Sequence, residues 1–179
     1  PVAGHRISIQ TTTRINKIAG CINTADQGGY GWGRIYPNTY LLSLYDQAKD
    51  TRYNELFVHR FKYNDPTSPK YGELIPLAKS SSYCETLHFM SKKYFDQWTM
   101  ADNPDRTTGF KDLIVYRLAE TYLMAAEAYM RRDGGMSTDA LRCYNKTWER
   151  AGNDKFAGPL TQDILLDEYA RELNFEGVR

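Results

Sequence analysis

Cysteine and histidine are scarce in this sequence, and so is any imbalance of charge. Three cysteines, Cys21, Cys84 and Cys143, lie about 60 residues apart with no paired spacing, which suggests neither a zinc knuckle nor a disulfide framework. The three histidines, His5, His59 and His88, are scattered without ligand spacing, so no metal site is expected. No apolar run approaches the roughly 20 residues that span a bilayer, because Arg or Glu interrupts even the longest within about five positions. With 23 basic against 22 acidic residues the formal charge is +1, and the whole chain offers no electrostatic case for nucleic acid or an anionic membrane. No targeting segment is visible in these residues. Ile18, Ala19, Gly20 and Cys21 spell a small-residue-then-cysteine pattern like a lipoprotein cleavage site, but Gln10, three threonines, Arg14, Asn16 and Lys17 occupy the place of the apolar stretch such a site requires. A polar opening, and an end straight after a helical pattern, read as an internal portion of something longer.

What the sequence does contain is a globular composition, 41% hydrophobic and 25% charged over 179 residues. A chain of that length buries roughly 70% of its unfolded surface if it folds alone, enough for one sizeable core. Tyrosine supplies 14 of the aromatic residues, against 3 Trp and 7 Phe. An apolar ring with a hydroxyl handle suits wet binding surfaces as well as cores.

Two regions differ in texture. Residues 1–112 are loop-rich, hold all prolines but one, and carry short apolar runs between Gly, Ser and Asn. Within them, 7–10 is predicted as an edge strand, and 56–63 as a strand with Phe57, His59, Phe61 and Tyr63 on one face at period two. Pro37 with Leu41, Leu44, Tyr45 and Ala48 predicts a helix of about three turns. Residues 113–179 are helical. Tyr116, Ala119, Leu123, Ala126 and Met130 form one apolar row, and Val115, Leu118, Tyr122, Ala125 and Tyr129 the row beside it, predicting a well-buried helix over 113–132. Arg117, Glu120, Glu127 and Arg131 fall on a third row suited to ion pairs. Gly134 and Gly135 end that helix, Ser137 caps a second over 137–151, and Thr161 caps a third over 161–176. In the third, Leu166, Tyr169, Ala170 and Leu173 read as the buried face, with Glu168, Arg171 and Glu172 polar. The short link after Gly134 predicts an αα-hairpin, and the whole a mainly α fold of tetratricopeptide-like hairpins with long irregular loops and a few short strands. Aligning Gly134 with Gly177 gives a period of about 43, longer than the 34 of a regular repeat.

Several motifs resemble the SusD/RagB family of outer-membrane nutrient (glycan) binding lipoproteins. Arg117-Leu118-Ala119-Glu120-Thr121-Tyr122-Leu123-Met124-Ala125-Ala126-Glu127-Ala128 is similar to the family's "RLAEvyLiyAEA" helix. Tyr144-Asn145 with Arg150-Ala151-Gly152 resembles "iNxvRxRAG", and Glu168 through Arg179 resembles "ERRRELAFEGxR". Upstream, Gly31-Trp32-Gly33, then Pro37-Asn38-Thr39 and Asp50-Thr51-Arg52, are similar to the family's glycine-tryptophan-glycine loop, helix and "DxR" turn. Trp148 and Tyr169 stand where the family usually has arginine, so its ion-pair network between these helices is not expected in the usual form. The resemblance implies that residues 1–179 are one incomplete domain, the C-terminal half of a longer protein. It further implies a non-catalytic, cofactor-free protein, lipidated and exposed at the outer membrane, that holds an oligosaccharide or polysaccharide for a SusC-like TonB-dependent transporter.

A sugar site needs aromatic platforms with a few donors and acceptors in an open groove. Residues 30–40 have that chemistry, with Tyr30, Trp32 and Tyr36 interleaved with glycines and with Arg34, and Trp98 is a second candidate; these five are the expected ligand contacts. The alternative for each tryptophan is a core position. Glu168, Glu172 and Glu176 recur at four-residue steps, about 6 Å apart, near the spacing of a retaining glycosidase pair, but a helix edge does not enclose a substrate. A further alternative is a helical repeat scaffold binding a peptide or protein along its hairpins. Exposed Tyr and Trp on loops would favour sugar, and exposed hydrophobics along a helix groove would favour a peptide.

Overall fold

The computed structural model describes residues 5–76 and 85–177. Cys84 and Arg179 lie outside them. The elements in chain order are α1 (Ile7–Thr11), α2 (Thr39–Ser43), α3 (Thr51–Leu56), β1 (Phe57–Val58), β2 (Met90–Ser91), α4 (Gln97–Asp102), α5 (Leu118–Asp133), α6 (Thr138–Trp148) and α7 (Gln162–Leu173). The fold is mainly helical with two short strands, and it divides into two compact units, Pro1–Pro37 with Leu56–Asp112, and Asn38–Glu55 with Leu113–Arg179.

In the first unit, 7–10 is helical and not an edge strand. Thr11 and Thr12 turn their hydroxyls back to donate to Ser8 O at 3.1 and 2.8 Å, local bonds that compete with extended backbone. The predicted 56–63 strand is realised only as Phe57–Val58, which pairs antiparallel with β2. Its alternation persists beyond the strand, however, because Phe57 and Phe61 are buried while Arg60 and Lys62 are exposed. Phe61 packs with Ile15, Cys21, Ile75 and Met90 in this unit's core.

In the second unit, α5 and α6 form the expected hairpin. Ser137 accepts from Ala140 N to cap α6, and Thr161 accepts from Ile164 N to cap α7. Leu123 and Ala126 are fully buried, packed with Ala140, Cys143 and Tyr144 of α6 and Leu165 and Leu173 of α7. Three expectations are corrected. The first helix begins at Leu118, not at 113, because Arg117 sits in extended backbone with its guanidinium drawn to Glu172 and Glu176; Leu113 to Tyr116 are exposed. The helix expected from Pro37 is only α2, since the Asp46 side chain accepts from Ala48 N and Lys49 N and starts a turn instead. On α7, Glu168, Arg171 and Glu172 are buried, whereas Leu166 is exposed.

Leu173 is buried and Tyr169 packs on the core as expected, and the further burial of Glu168, Arg171 and Glu172 comes from an ion cluster. Arg52 grips Asp50 through Nε at 3.0 Å and Nη2 at 2.7 Å, and its Nη1 reaches Glu168 at 2.8 Å and Glu172 at 3.0 Å. Arg171 Nε donates to Glu168 at 2.8 Å. Arg117 donates to Glu172 and to Glu176, each at 2.6 Å, and Arg150 also bonds Glu172. Among the described residues four guanidinium groups therefore meet four carboxylates, and an ion-pair network exists although Trp148 and Tyr169 replace arginines. Trp148 joins it differently, by stacking under Arg171, whose Cζ lies 4.8 Å from the ring centroid.

Leu123→Ala should cost about 2 to 5 kcal/mol, since the fully buried side chain leaves a cavity; a denaturant titration with an unmoved midpoint would contradict the packing. Acid should also unfold this unit in a defined window. Burial opposes ionisation of Glu172, but the hydrogen bond from Arg117 and the charges of Arg150 and Arg52 outweigh it and hold the carboxyl down at about 2. A folded value below the roughly 4.3 of an unfolded chain gives stability that is complete above about pH 5 and lost as pH falls toward 2. Thermal melts followed by circular dichroism should show that decline in the wild type and a flatter one in Glu172→Gln.

Candidate functional site

The candidate residues lie in the first unit. The 28–36 loop owes its glycines to its own packing. Trp32 N, Gly33 N and Arg34 N donate to the carbonyls of Ile9, Thr12 and Gln10 at 2.7, 2.8 and 2.9 Å, so the loop is laced to α1 and the residue after it. A Cβ on Gly31 would come within 2.1 Å of Thr13 O, and one on Gly33 within 2.2 Å of Glu85 O, which leaves room only for glycine at either place. The same constraint settles the side chains. Trp32 is half-buried, with the guanidinium groups of Arg34 and Arg6 4.9 and 5.6 Å from its ring centroid. Tyr36 stacks at a tilt on His88, centroids 4.9 Å apart, and Tyr30 is half-buried beside Pro104, whose carbonyl accepts from Tyr30 N at 2.7 Å. Arg34 is exposed on its free side.

Trp98 is different: it is 92% exposed. It stands on α4, one turn of which is fixed by Asp96. The Asp96 carboxylate accepts from Thr99 N and Thr99 Oγ1, at 3.2 and 2.6 Å, and from Phe110 N and Lys111 N, at 2.6 and 3.1 Å. Burial opposes its ionisation, but those four donors hold its carboxyl below the usual range. One side chain thus caps the helix and clamps residues 110–111 opposite it. Between the two runs an open groove of about 670 Å³, bordered by Trp98, Gln97, Lys92, Phe110 and Lys111. Lys111 is held in place by its own bonds, its ammonium donating to the Lys93 and Phe95 carbonyls at 2.9 and 3.3 Å. An indole face, a partly exposed Phe110, an amide and two ammonium groups make a surface that can take an apolar ring face and the polar groups around it.

Of the five sequence candidates, Trp98 lines this groove; Tyr30, Trp32, Arg34 and Tyr36 do not. Sequence reading missed Lys92, Gln97, Phe110 and Lys111. The available signal was faint: Phe95 and Trp98 three residues apart, and Phe110 set between Gly109 and Lys111 where a core aromatic would have apolar neighbours. In the second unit, Glu168, Glu172 and Glu176 are each engaged by arginine, and Glu168 and Glu172 are buried in the ion cluster, not arrayed along a cleft. Among the described residues no group of three His, Cys, Asp or Glu side chains could hold a metal ion, and no helix is long and apolar enough to cross a membrane.

The fold has solved counterparts. Surface glycan-binding protein A from Bacteroides uniformis superposes with a TM-score of 0.62 at 22% identity, over 98% of this chain and 34% of that one. A SusD superfamily protein from Parabacteroides distasonis gives 0.60 at 22% identity, over 93% of this chain and 32% of its own. The chain thus spans about a third of the length of these structures. The starch-binding protein SusD of Bacteroides thetaiotaomicron is 40% identical over 68 residues, which is 38% of this chain and 12% of the relative. A family model described as the SusD family matches residues 2–179, and the chain belongs to that family.

Proposed function

We propose that this chain is part of a non-catalytic glycan-binding protein of the cell surface, which holds an oligosaccharide or polysaccharide at the outer membrane and passes it to a SusC-like TonB-dependent transporter. The observation that carries the reading is Trp98, a tryptophan 92% exposed beside an open groove. An indole face open to solvent is free to stack, and a sugar's C–H face is a fitting partner for it. Family membership supports the same reading, as do relatives named for binding starch and surface glycan. Lys92, Gln97 and Lys111 offer donors for hydroxyls around the stacked ring. Tyr30, Trp32, Arg34 and Tyr36 lie in the same unit outside this groove, with the Arg6 and Arg34 guanidinium groups over the Trp32 ring. The non-catalytic part of the proposal is supported by the ion-pairing of Glu168 and Glu172 with arginine.

One observation favours a second reading, a helical scaffold that takes a peptide. Exposed Met124 and Leu166, with Tyr169, line a groove of about 400 Å³ between α5 and α7. Its rim of Glu120, Glu127 and Arg131 is mixed in charge, and Arg131 is tied to Glu127 at 2.7 Å.

A glycan array followed by calorimetric titration separates the readings. Trp98→Ala should weaken binding about ten-fold or more with the melting temperature nearly unchanged. Trp32→Ala should instead lower stability by about 1 kcal/mol, since its half-buried ring carries the Arg6 and Arg34 stacks. Loss of peptide binding on Met124→Ala, with no glycan bound at all, would favour the scaffold. The bound polysaccharide should also stay intact on long incubation; reducing ends that accumulate, and vanish in Glu172→Gln, would overturn the non-catalytic assignment.

A further inference from the structure

We infer that the glycan held here is acidic, bearing uronate carboxylates or sulfate esters, and that Arg60, Lys62 and Lys92 bind those anions. The inference rests on the glycan-binding reading and names its substrate class.

Charge is distributed unevenly between the two units. Pro1–Pro37 with Leu56–Asp112 carries twelve Lys and Arg against eight Asp and Glu, a formal +4, while Asn38–Glu55 with Leu113–Arg179 carries eleven against fourteen, a formal −3. At least five of the eleven described cations of the first unit have a charge, ring or carbonyl partner. Arg14 pairs with Glu85, Lys70 lies over Tyr63, Arg6 and Arg34 lie over Trp32, and Lys111 bonds two carbonyls. Arg60, Lys62 and Lys92 are exposed, and among the described residues none has a carboxylate within 4.0 Å.

The backbone brings these three together. Beyond β1, Phe57 and Phe61 are buried while Arg60 and Lys62, two residues apart, are exposed, and a two-residue step of extended chain sets the two cations about 7 Å apart. Lys92 follows β2, and its N–H donates to Leu56 O at 2.7 Å, which draws it alongside. All three line one open groove of about 570 Å³, with Leu74, 59% exposed, as an apolar patch and Asp26 as the sole carboxylate. Lys92 also borders the Trp98 groove, so the two openings meet at its side chain. A neutral sugar gains little from three uncompensated charges that repel one another. A polyanionic glycan neutralises them, with charge-assisted hydrogen bonds to carboxylate or sulfate, while one of its rings stacks on Trp98.

Affinity electrophoresis of the protein in native gels tests this, with polygalacturonate and dextran sulfate as the carboxylated and sulfated probes, starch and dextran as neutral ones, and polyglutamate as an anion without sugar. Retardation by at least one acidic polysaccharide, weak with starch and dextran and falling as salt rises to about 0.5 M, is expected. The double variant Arg60→Ala with Lys62→Ala should weaken it about ten-fold at an unchanged melting temperature. Equal retardation by starch, or acidic-glycan binding that the double variant leaves intact, would overturn the inference and leave glycan binding standing. Retardation by polyglutamate as strong as by polygalacturonate, or by no polysaccharide at all, would overturn both.

Discussion

A guanidinium taken out of water costs several kcal/mol unless carboxylates of good geometry surround it, and the second unit is arranged to surround Arg52. Asp50 holds it side-on from two residues away, and Glu168 and Glu172 reach it from the next turn of α7. Burial by itself would depress the ionisation of Arg52, yet its carboxylate partners raise it above the ordinary value. Everything nearby conforms to that requirement. Asn153 satisfies the outer oxygen of Asp50 at 3.0 Å, the Tyr45 hydroxyl donates to Arg171 O at 2.8 Å, and Arg117 leaves the helix it precedes in order to close the cluster on Glu172 and Glu176. Removing any one charge strands another in low dielectric, so the cluster specifies the register of α7 more firmly than apolar contacts would.

This cluster also explains what the sequence could and could not disclose. The three long helices were legible because periodicity, N-caps at Ser137 and Thr161, and glycine stops are local signals that tertiary packing here reinforces. The buried face of α7 was not. A Glu168, Arg171, Glu172 row has the composition of a solvated edge, and only Arg52, more than a hundred residues upstream, turns it inward. The Asp50-Thr51-Arg52 motif was visible by resemblance, but its partner was not, since complementary charge carries no periodicity. The same reasoning applies to 7–10, where Thr11 and Thr12 bond backward to Ser8 and override a β-like composition.

The site was legible to a different degree. Aromatic density between glycines drew attention to 30–36, where the glycines serve close backbone approach to Thr13 and Glu85 and the aromatics between them are half-buried. Trp98 was in view, but the groove beside it also needs Asp96 to hold residues 110–111, a contact that spans fourteen residues and has no sequence signature. Net charge misled for a simpler reason. A balanced total of +1 conceals two units of opposite sign, and only the fold says which residues to add together.

The order in which the chain visits its two units has a consequence for how the protein comes to be folded. It enters the first, crosses to the second for residues 38–55, returns for 56–112 and crosses again at Leu113. Neither unit is contiguous, so neither can be excised by a single cut. The contact that anchors the second, Arg52 to Glu168, joins residues 116 apart. Loop-closure entropy grows only slowly with length, about 0.6 kcal/mol per doubling, so stability suffers little. Rate is more sensitive, because long-range pairings have to be searched for before they reward the chain. The α5–α6 hairpin can form from local contacts alone, whereas the charges of α7 stay uncompensated until residues 50–52 arrive. Docking of α7 therefore has to wait on a long-range encounter that the α5–α6 hairpin does not need.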